Sequence, residues 1–346
     1  MSGLTCAKPA MGPSPLRRLT HREYDNAVAD LLGDKTGPSK SFPPDTEIGL
    51  FDNTAEAQDA PVLLAGEYAD AAVKLANGVA NLNTLVGCDF TGTAGATCVR
   101  TFISKLGRRA FRRPVTADET TRLVALYDQA LTDKALGVRA VISAILVSPH
   151  FLFRPEFGSG ASTIAGAQKL TQFELAARMA SLLWASIPDD ILLDEAQAGR
   201  LATPEQVTAQ VRRMLTLPRA KVAVASFYDQ WLGLPMLDVA TKDADIYKFD
   251  DELRASMLEE TRRFVANVIW TDNAKLSTLF SAPYSFVNGP LATLYGVKGP
   301  TDALTYQKVT MDATQRLGLL TQASFLTGFA RPDSSSPCKH CAWIRK

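Results

Sequence analysis

Four short segments of this chain carry the pattern that starts an α-helix, and they constrain the fold more than any other feature. In each segment a threonine is followed three residues later by glutamate or glutamine, and then by apolar residues at three-to-four spacing. The segments begin at Thr20, Thr116, Thr171 and Thr203. The hydroxyl accepts a hydrogen bond from a free N–H of the first turn, and the acid or amide reaches back to the threonine N–H. The pattern therefore predicts four defined helix starts.

Apolar periodicity predicts further helices elsewhere in the chain. They fall at 60–81, 99–113, 136–147, 220–232, 251–270 and 312–329. Alternation typical of a strand is nearly absent, and 305–309 is the one short candidate. We therefore predict an all-α protein, an irregular multi-helix bundle in which two helical domains are joined by long loops.

A run rich in glycine and serine predicts the domain organisation. The run Gly158-Ser159-Gly160-Ala161-Ser162 is the best candidate for a domain boundary. We predict a linker or trimmed N-terminus at 1–15, an N-terminal helical domain at 16–157, a central helical domain at 167–300 and the start of an incomplete C-terminal module at 301–346.

The charge balance and the absence of common motifs exclude several classes of protein. With 37 basic and 36 acidic residues the net charge is +1, so no global field favours nucleic acid or an anionic membrane. No apolar run reaches the ~18–20 residues of a membrane span. Neither a nucleophile elbow nor a phosphate loop is present, which disfavours an α/β-hydrolase and a nucleotide-binding protein.

Two cysteines, Cys88 and Cys98, bracket a loop of small and polar residues. A loop of this kind can close a short ring, so we predict a disulfide, which would indicate an oxidising compartment. Two unrelated free thiols are the alternative.

A second cysteine pair lies near the end of the chain, in Cys338-Lys339-His340-Cys341. Cys338, His340 and Cys341 could contribute to a metal site, or the cysteines could form a redox pair, or the end could be unpaired. Covalent haem attachment is not expected, because Ala342 stands where that motif requires histidine. No cofactor is assigned from the sequence.

Arg154 and Glu156 stand among aromatic residues at the end of an apolar helical run. A charge in such surroundings is costly unless it is paired and hydrogen-bonded. If Arg154 is buried it needs a carboxylate, and we expect one from Glu259 or Glu260. The pair is either structural or part of a functional cleft.

Asp52 and Asn53 belong to an acidic loop that also contains Asp45 and Glu47. Several oxygen ligands on a loop suit a hard cation, but Asp52 could equally cap a helix or pair with a buried arginine. The residues predicted to line a polar cleft are Arg154, Glu156, Asp52 and Asn53.

Several blocks of the sequence carry a family resemblance when they are taken together. They span 15–33, 49–53, 107–114, 148–156, 183–190, 284–288 and 318–326. In this order they resemble a multi-module family of planctomycetes and myxobacteria, whose modules are known chiefly as domains of unknown function. The resemblance covers nearly the whole chain from about Leu16.

The resemblance implies a location and a partner, but no reaction. Some family members carry a c-type cytochrome domain, and many are exported or lipid-anchored. We therefore expect an exported protein of the periplasm or cell surface whose signal sequence is absent from this chain, with a c-type cytochrome domain or protein as partner. Family members usually continue beyond residue 346, so C-terminal truncation is expected. The family supplies no catalytic residues to carry over.

Three functions remain open at the level of sequence. The first is a module of a cytochrome-associated redox system. The second is a non-catalytic binding or scaffold module for a surface polymer or a protein, in which Trp184, Trp231 and Trp270 could line grooves for sugars, although an apolar core is the commoner place for them. The third is a hydrolase that uses a pair of carboxylates.

Overall fold

The computed structural model describes residues 14–159 and 167–336, and these are mostly helical. The predicted irregular multi-helix fold is confirmed, with two small antiparallel sheets in addition. The chain divides into two compact units, at 1–220 and 221–346. The division predicted around 158–166 stays a prediction, and most of that segment lies outside the described residues.

The first unit contains ten α-helices and a short two-stranded sheet within its described residues. The helices are α1 His21–Leu32, α2 Val62–Gly78, α3 Leu82–Val86, α4 Gly95–Ala110, α5 Ala117–Gln129, α6 Lys134–Leu146, α7 Pro149–Leu152, α8 Gln172–Trp184, α9 Asp190–Gln197 and α10 Pro204–Leu215. The strands are β1 Arg17–Arg18 and β2 Phe153–Arg154.

All four predicted capping boxes form. The hydroxyls of Thr20, Thr116, Thr171 and Thr203 each accept from the backbone N–H three residues on, and the acid or amide at that position accepts from the threonine N–H. Both free donors are satisfied locally, so these helices start where the sequence indicates.

One core of the first unit brings together residues that are far apart in the sequence. Tyr24 on α1 packs against Phe42, Tyr68 on α2 and Phe151 on α7, with ring centroids 5.3–5.8 Å away. The strand β1 pairs with β2, so that Arg17 faces Arg154. A second cluster of buried residues surrounds Trp184 and is formed by α8, α9 and α10.

The second unit is organised by one long helix. Its elements are α11 Pro218–Trp231, whose first residues precede the boundary, α12 Met236–Val239, α13 Asp251–Trp270, α14 Leu276–Ser281, β3 Tyr284–Val287, α15 Gly289–Tyr295, β4 Gln307–Thr310 and α16 Ala323–Phe329. Phe264, Val265 and Val268 of α13 belong to one buried cluster, and Met257 belongs to another. The helix α13 therefore supplies apolar side chains to both cores.

One prediction for the second unit is confirmed in part, and another needs correction. The strand candidate at 305–309 forms as β4, but its antiparallel partner β3 was not predicted. The helix predicted over 312–329 is wrong in its first part, because α16 begins only at Ala323. Gly318 adopts a φ of 58°, and a Cβ there would lie 2.4 Å from the carbonyl oxygen of Leu279. The chain must turn closely past another segment at that point, which a continuous helix does not allow.

No helix within the described residues is long and apolar enough to cross a membrane.

Candidate functional site

Arg154 of the predicted cleft lies in β2 and is nearly buried. Its Nη1 lies 3.8 Å from Oε1 of Glu23, and the exposed fractions of the two side chains are 11% and 7%. The prediction that Glu259 or Glu260 pairs with Arg154 is therefore wrong. Glu259 pairs instead with Arg263, and Glu260 is hydrogen-bonded within the second unit.

Glu23 ties the buried charges of the first unit together. Its Oε2 accepts from the N–H of Thr20 at 3.0 Å, and its Oε1 accepts from the hydroxyl of Ser181. Arg112 nearby is 4% exposed and donates to the carbonyls of His150 and Phe151 at 3.1 and 2.9 Å. Burial, then the positive charge of Arg154, lowers the pKa of Arg112 to about 9, and Glu23 opposes the shift. These contacts hold the N-terminal helices together.

The other residues of the predicted cleft have partners of their own. Glu156 accepts from Nε of Arg178 at 2.9 Å and from the hydroxyl of Ser14 at 3.0 Å. Burial raises the pKa of Glu156, but the hydrogen bonds from Arg178 outweigh it and the net shift is downward. Oδ2 of Asp52 lies 3.4 Å from Nη2 of Arg22.

Asn53 is exposed. Arg154 and Asp52 contact neighbouring residues of α1, whereas Glu156 contacts α8, so the four residues are not bound to one common partner. That they form a functional cleft stays a prediction.

The disulfide predicted between Cys88 and Cys98 is confirmed, with the two Cα atoms 5.9 Å apart. The enclosed loop turns inward, because Phe90 is buried and its carbonyl accepts from the hydroxyl of Tyr127. Gly95 permits this approach, since a Cβ there would lie 2.5 Å from the Phe90 carbonyl oxygen.

Within the described residues no group of three or more metal-ligating side chains is found. Cys338, His340 and Cys341 lie outside the described residues.

The second unit contains a fully buried carboxyl group at Glu260, halfway along α13. Its Oε1 accepts from the hydroxyl of Ser285 at 2.5 Å and its Oε2 from that of Tyr295 at 2.7 Å. Burial raises the pKa of Glu260 to about 7, although these two hydrogen bonds and the charge of Arg316 oppose the shift. A carboxyl group that titrates near neutrality is a frequent feature of functional sites.

A chain of uncharged polar groups continues from Ser285. Its hydroxyl accepts from Nε2 of Gln322 at 3.2 Å, and Oε1 of Gln322 accepts from the hydroxyl of Thr261 at 2.8 Å. The hydroxyls of Thr261 and Ser324 are 2.5 Å apart. These side chains come from α13, from β3 and from the start of α16 with the residue before it, so the chain of hydrogen bonds joins three parts of the second unit.

Two surface cavities of the second unit lie along different parts of α13. We call the first the aromatic groove; it has a volume of about 600 Å³ and runs between α11 and α13. Tyr228, Trp270 and Phe286 line it, together with polar residues that include Asp229 and Arg262. Trp270 is half-buried, and Nζ of Lys221, which also lines the groove, lies 5.8 Å from the centroid of its ring.

An ion pair fixes the polar side of the aromatic groove. Arg262 donates from Nε and Nη2 to Oδ2 of Asp229, at 3.0 and 2.7 Å. Glu259 and Arg263 also line the groove and pair with each other at 2.7 Å. The groove thus places flat apolar faces beside charged groups that are already held in position.

We call the second cavity the basic pocket; its volume is about 310 Å³. It lies against the start of α13, the end of α15 and α16. Arg316 and Tyr295 form part of its wall, so one of the residues that hydrogen-bond Glu260 also faces the pocket.

Sequence reasoning proposed grooves for sugars lined by tryptophans, but it did not locate one between α11 and α13, and it did not predict the contacts of Glu260 with Ser285 and Tyr295. Two groove residues were singled out, Trp270 as a possible sugar contact and Glu259 as a possible partner of Arg154. The polar residues Ser285, Gln322 and Ser324 interrupt apolar runs in two of the blocks that carry the family resemblance. That interruption was the available signal that these segments meet around a polar group.

Three family models match the chain one after another. Residues 17–81 match PSD3, 98–156 match PSD5 and 170–297 match PSD4, each described as a protein of unknown function (DUF1587, DUF1595 and DUF1592, respectively). The matches agree with the predicted resemblance to a multi-module family of unknown function. No curated protein and no solved structure matches the chain.

Proposed function

We propose that the chain is an exported binding module whose aromatic groove holds a segment of a sugar polymer at the cell surface. The observation that carries the proposal is the half-buried ring of Trp270, which lines the groove with Tyr228 beside the fixed pair of Asp229 and Arg262. Amphipathic rings offer large apolar faces, and a few polar groups set the orientation of a ligand. A sugar ring presents both kinds of surface.

The same contacts favour binding over catalysis. Asp229 and Glu259 are the carboxylates of the groove. Asp229 accepts hydrogen bonds from Arg262, and Glu259 forms an ion pair with Arg263. Both carboxylates are therefore already bound by arginines, which competes with the contact to a substrate that a general acid or base must make. A carboxylate-based hydrolase that uses this pair is the alternative.

Affinity electrophoresis of the protein through gels that contain a panel of neutral and acidic polysaccharides tests the proposal. We expect at least one polymer to retard the wild type, and we expect Trp270→Ala to bind it about 10-fold more weakly, because a stacking face is lost. Phe227→Ala is the control, since Phe227 is an exposed aromatic residue of α11 that does not line the groove.

Two results would count against the proposal. Equal loss of retardation in both variants would assign the effect to general destabilisation, and migration unaffected by every polymer would remove the polymer ligand. Release of new reducing ends from a retarding polymer, abolished in Asp229→Asn, would replace binding by hydrolysis.

Export of the protein is supported by the Cys88–Cys98 disulfide, because such bonds persist in oxidising compartments. We expect the native protein, isolated with its thiols blocked during lysis, to carry Cys88 and Cys98 as a disulfide. Peptide mapping that finds both residues alkylated would contradict export.

A c-type cytochrome is the partner that the family resemblance favours, and the three consecutive module matches support the resemblance. In this role the chain would hold a polymer near a haem-bearing domain. Co-purification of the native protein under mild conditions should recover a Soret-absorbing partner in stoichiometric amount. Recovery of the protein without any haem protein would reject the association.

A further inference from the structure

The basic pocket has an apolar interior. One side is lined by Leu253 and Met257 of α13 and by Phe249 just before that helix. The other side is lined by Leu294 of α15 and Leu326 of α16. A volume of about 310 Å³ lies at the small end of the range found for ligand cavities. The pocket is therefore large enough for a small organic molecule with a mainly apolar body.

The charged residues of the pocket are all of one sign. Lys242, Lys248, Arg316 and Arg331 line it, and none of its described lining residues is aspartate or glutamate. A cavity with low-dielectric walls and charges of one sign concentrates ions of the opposite sign. The charge pattern selects an anion, although the net charge of the whole chain is only +1.

Arg316 is a cation of the pocket whose guanidinium is held on two sides. It is half-buried, its Nη1 donates to the carbonyl of Thr321 at 2.8 Å, and its guanidinium lies 4.3 Å from the ring centroid of Tyr295. Tyr295 is itself fixed, because its hydroxyl donates to Glu260 and accepts from the N–H of Ala323 at 2.8 Å. A guanidinium held on two sides loses little freedom when it binds a carboxylate.

We infer that the basic pocket binds a small amphipathic carboxylate, with its carboxylate on Arg316 and its apolar body against Leu253, Met257 and Leu326. Arginine presents a planar pair of N–H donors that matches the two carboxylate oxygens. The apolar interior adds affinity in proportion to the area that it removes from water. This site is separate from the aromatic groove, and the inference does not depend on the polymer proposal.

Isothermal titration of the full chain with octanoate tests the inference, and the chemistry of the probe is varied in parallel. We expect octanoate to bind at one site, and octan-1-ol, octylamine and inorganic phosphate to bind at least about 10-fold more weakly, because each lacks the charge or the apolar body. Octan-1-ol binding as tightly as octanoate would overturn the role of the cations. Phosphate binding as tightly would overturn the role of the apolar interior.

A matched pair of variants locates the site. Arg316→Met keeps an unbranched apolar side chain on Tyr295 but removes the charge, and we expect it to weaken octanoate binding about 10- to 100-fold. Arg263→Met is the control, because Arg263 also lies over a tyrosine ring, at 4.5 Å from the centroid of Tyr306, but does not line the pocket. Equal affinity of Arg316→Met and wild type would place any octanoate site elsewhere. Should Arg316→Met fail to fold, the comparison of probes on the wild type still decides.

Discussion

Buried charges in this protein are stabilised in two different ways. In the first unit Glu23, Arg154 and Arg112 lie close enough to affect one another, so each charge has an opposite charge or carbonyl oxygens near it. Glu260 in the second unit instead has two hydroxyl donors, and the charge of Arg316 acts on it without an ion pair. Hydroxyl groups compensate the burial of a carboxylate less than an arginine does, so burial raises the pKa of Glu260.

The raised pKa of Glu260 makes the stability of the second unit depend on pH. The folded protein holds the proton up to about pH 7, whereas an unfolded chain releases it near 4.5. The contribution of the group to stability is therefore fully present below pH 4.5 and is lost as the pH rises to about 7. We expect this group to lower the free energy of unfolding of the wild type by about 2–3 kcal/mol between pH 4.5 and 7. The variant Glu260→Gln should not show this decrease, because its side chain does not titrate.

Urea unfolding of wild type and variant at a series of pH values measures this difference. Glu259→Gln is the control, because Glu259 is the neighbouring carboxylate of α13 but pairs with Arg263 on the partly exposed side. A difference between wild type and Glu260→Gln that stays constant from pH 4.5 to 7 would show that Glu260 does not titrate there.

Among the secondary-structure elements, the starts of helices were the most predictable feature. A capping box depends on residues three positions apart, so Thr20 or Thr116 and its partner carry the whole signal. The ends and interruptions depend on distant segments. Gly318 breaks the predicted helix because Leu279 and Phe280 lie against it, and nothing near Gly318 in the sequence shows that approach.

Two glycines in helices make a test of local packing, because their surroundings are opposite. A Cβ at Gly95, the first residue of α4, would lie 2.6 Å from the Tyr127 hydroxyl, whereas a Cβ at Gly66 of α2 would meet nothing within 4 Å. We expect Gly95→Ala to destabilise by roughly 1–3 kcal/mol, through forced movement of the loop. We expect Gly66→Ala to stabilise by about 0.5–1 kcal/mol, through the lower entropy of the unfolded chain.

Thermal and urea unfolding of both variants measure whether each substitution raises or lowers the free energy of unfolding. Destabilisation by Gly66→Ala would show that α2 is not an exposed regular helix at that point. A neutral Gly95→Ala would show that the Phe90 carbonyl does not lie against α4.

At the scale of the whole molecule, the disulfide should be the main determinant of stability that responds to redox conditions. Closing a loop of about ten residues stabilises by about 2–3 kcal/mol through the unfolded chain. We expect the double variant Cys88→Ser/Cys98→Ser to lose that amount, and we expect reductant to lower the stability of the wild type but not of the variant. Urea unfolding with and without reductant measures both. If reductant left the free energy of unfolding of the wild type unchanged, that result would contradict the disulfide.

The sequence predicted what depends on neighbours in the chain and missed what depends on distant contacts. The disulfide and the helix starts are local, and the fold class follows from apolar periodicity. The partner of Arg154 was missed because Glu23 lies far before it in the chain. Glu260 was taken for an ion-pair partner because its true neighbours, Ser285 and Tyr295, meet it only in the folded second unit.

The pairing of β1 with β2 bears on how the family modules relate to folding. The PSD3 match begins at residue 17 and the PSD5 match ends at 156, and those two ends form one sheet. Between them α2 and α6, one from each match, are joined by Arg139, which donates to the Ala76 carbonyl at 2.7 Å. The two matched segments are therefore parts of one compact unit, although a separate family model matches each. A fragment that ends between the two matched segments would leave β1 without its partner β2 and α2 without its neighbour α6.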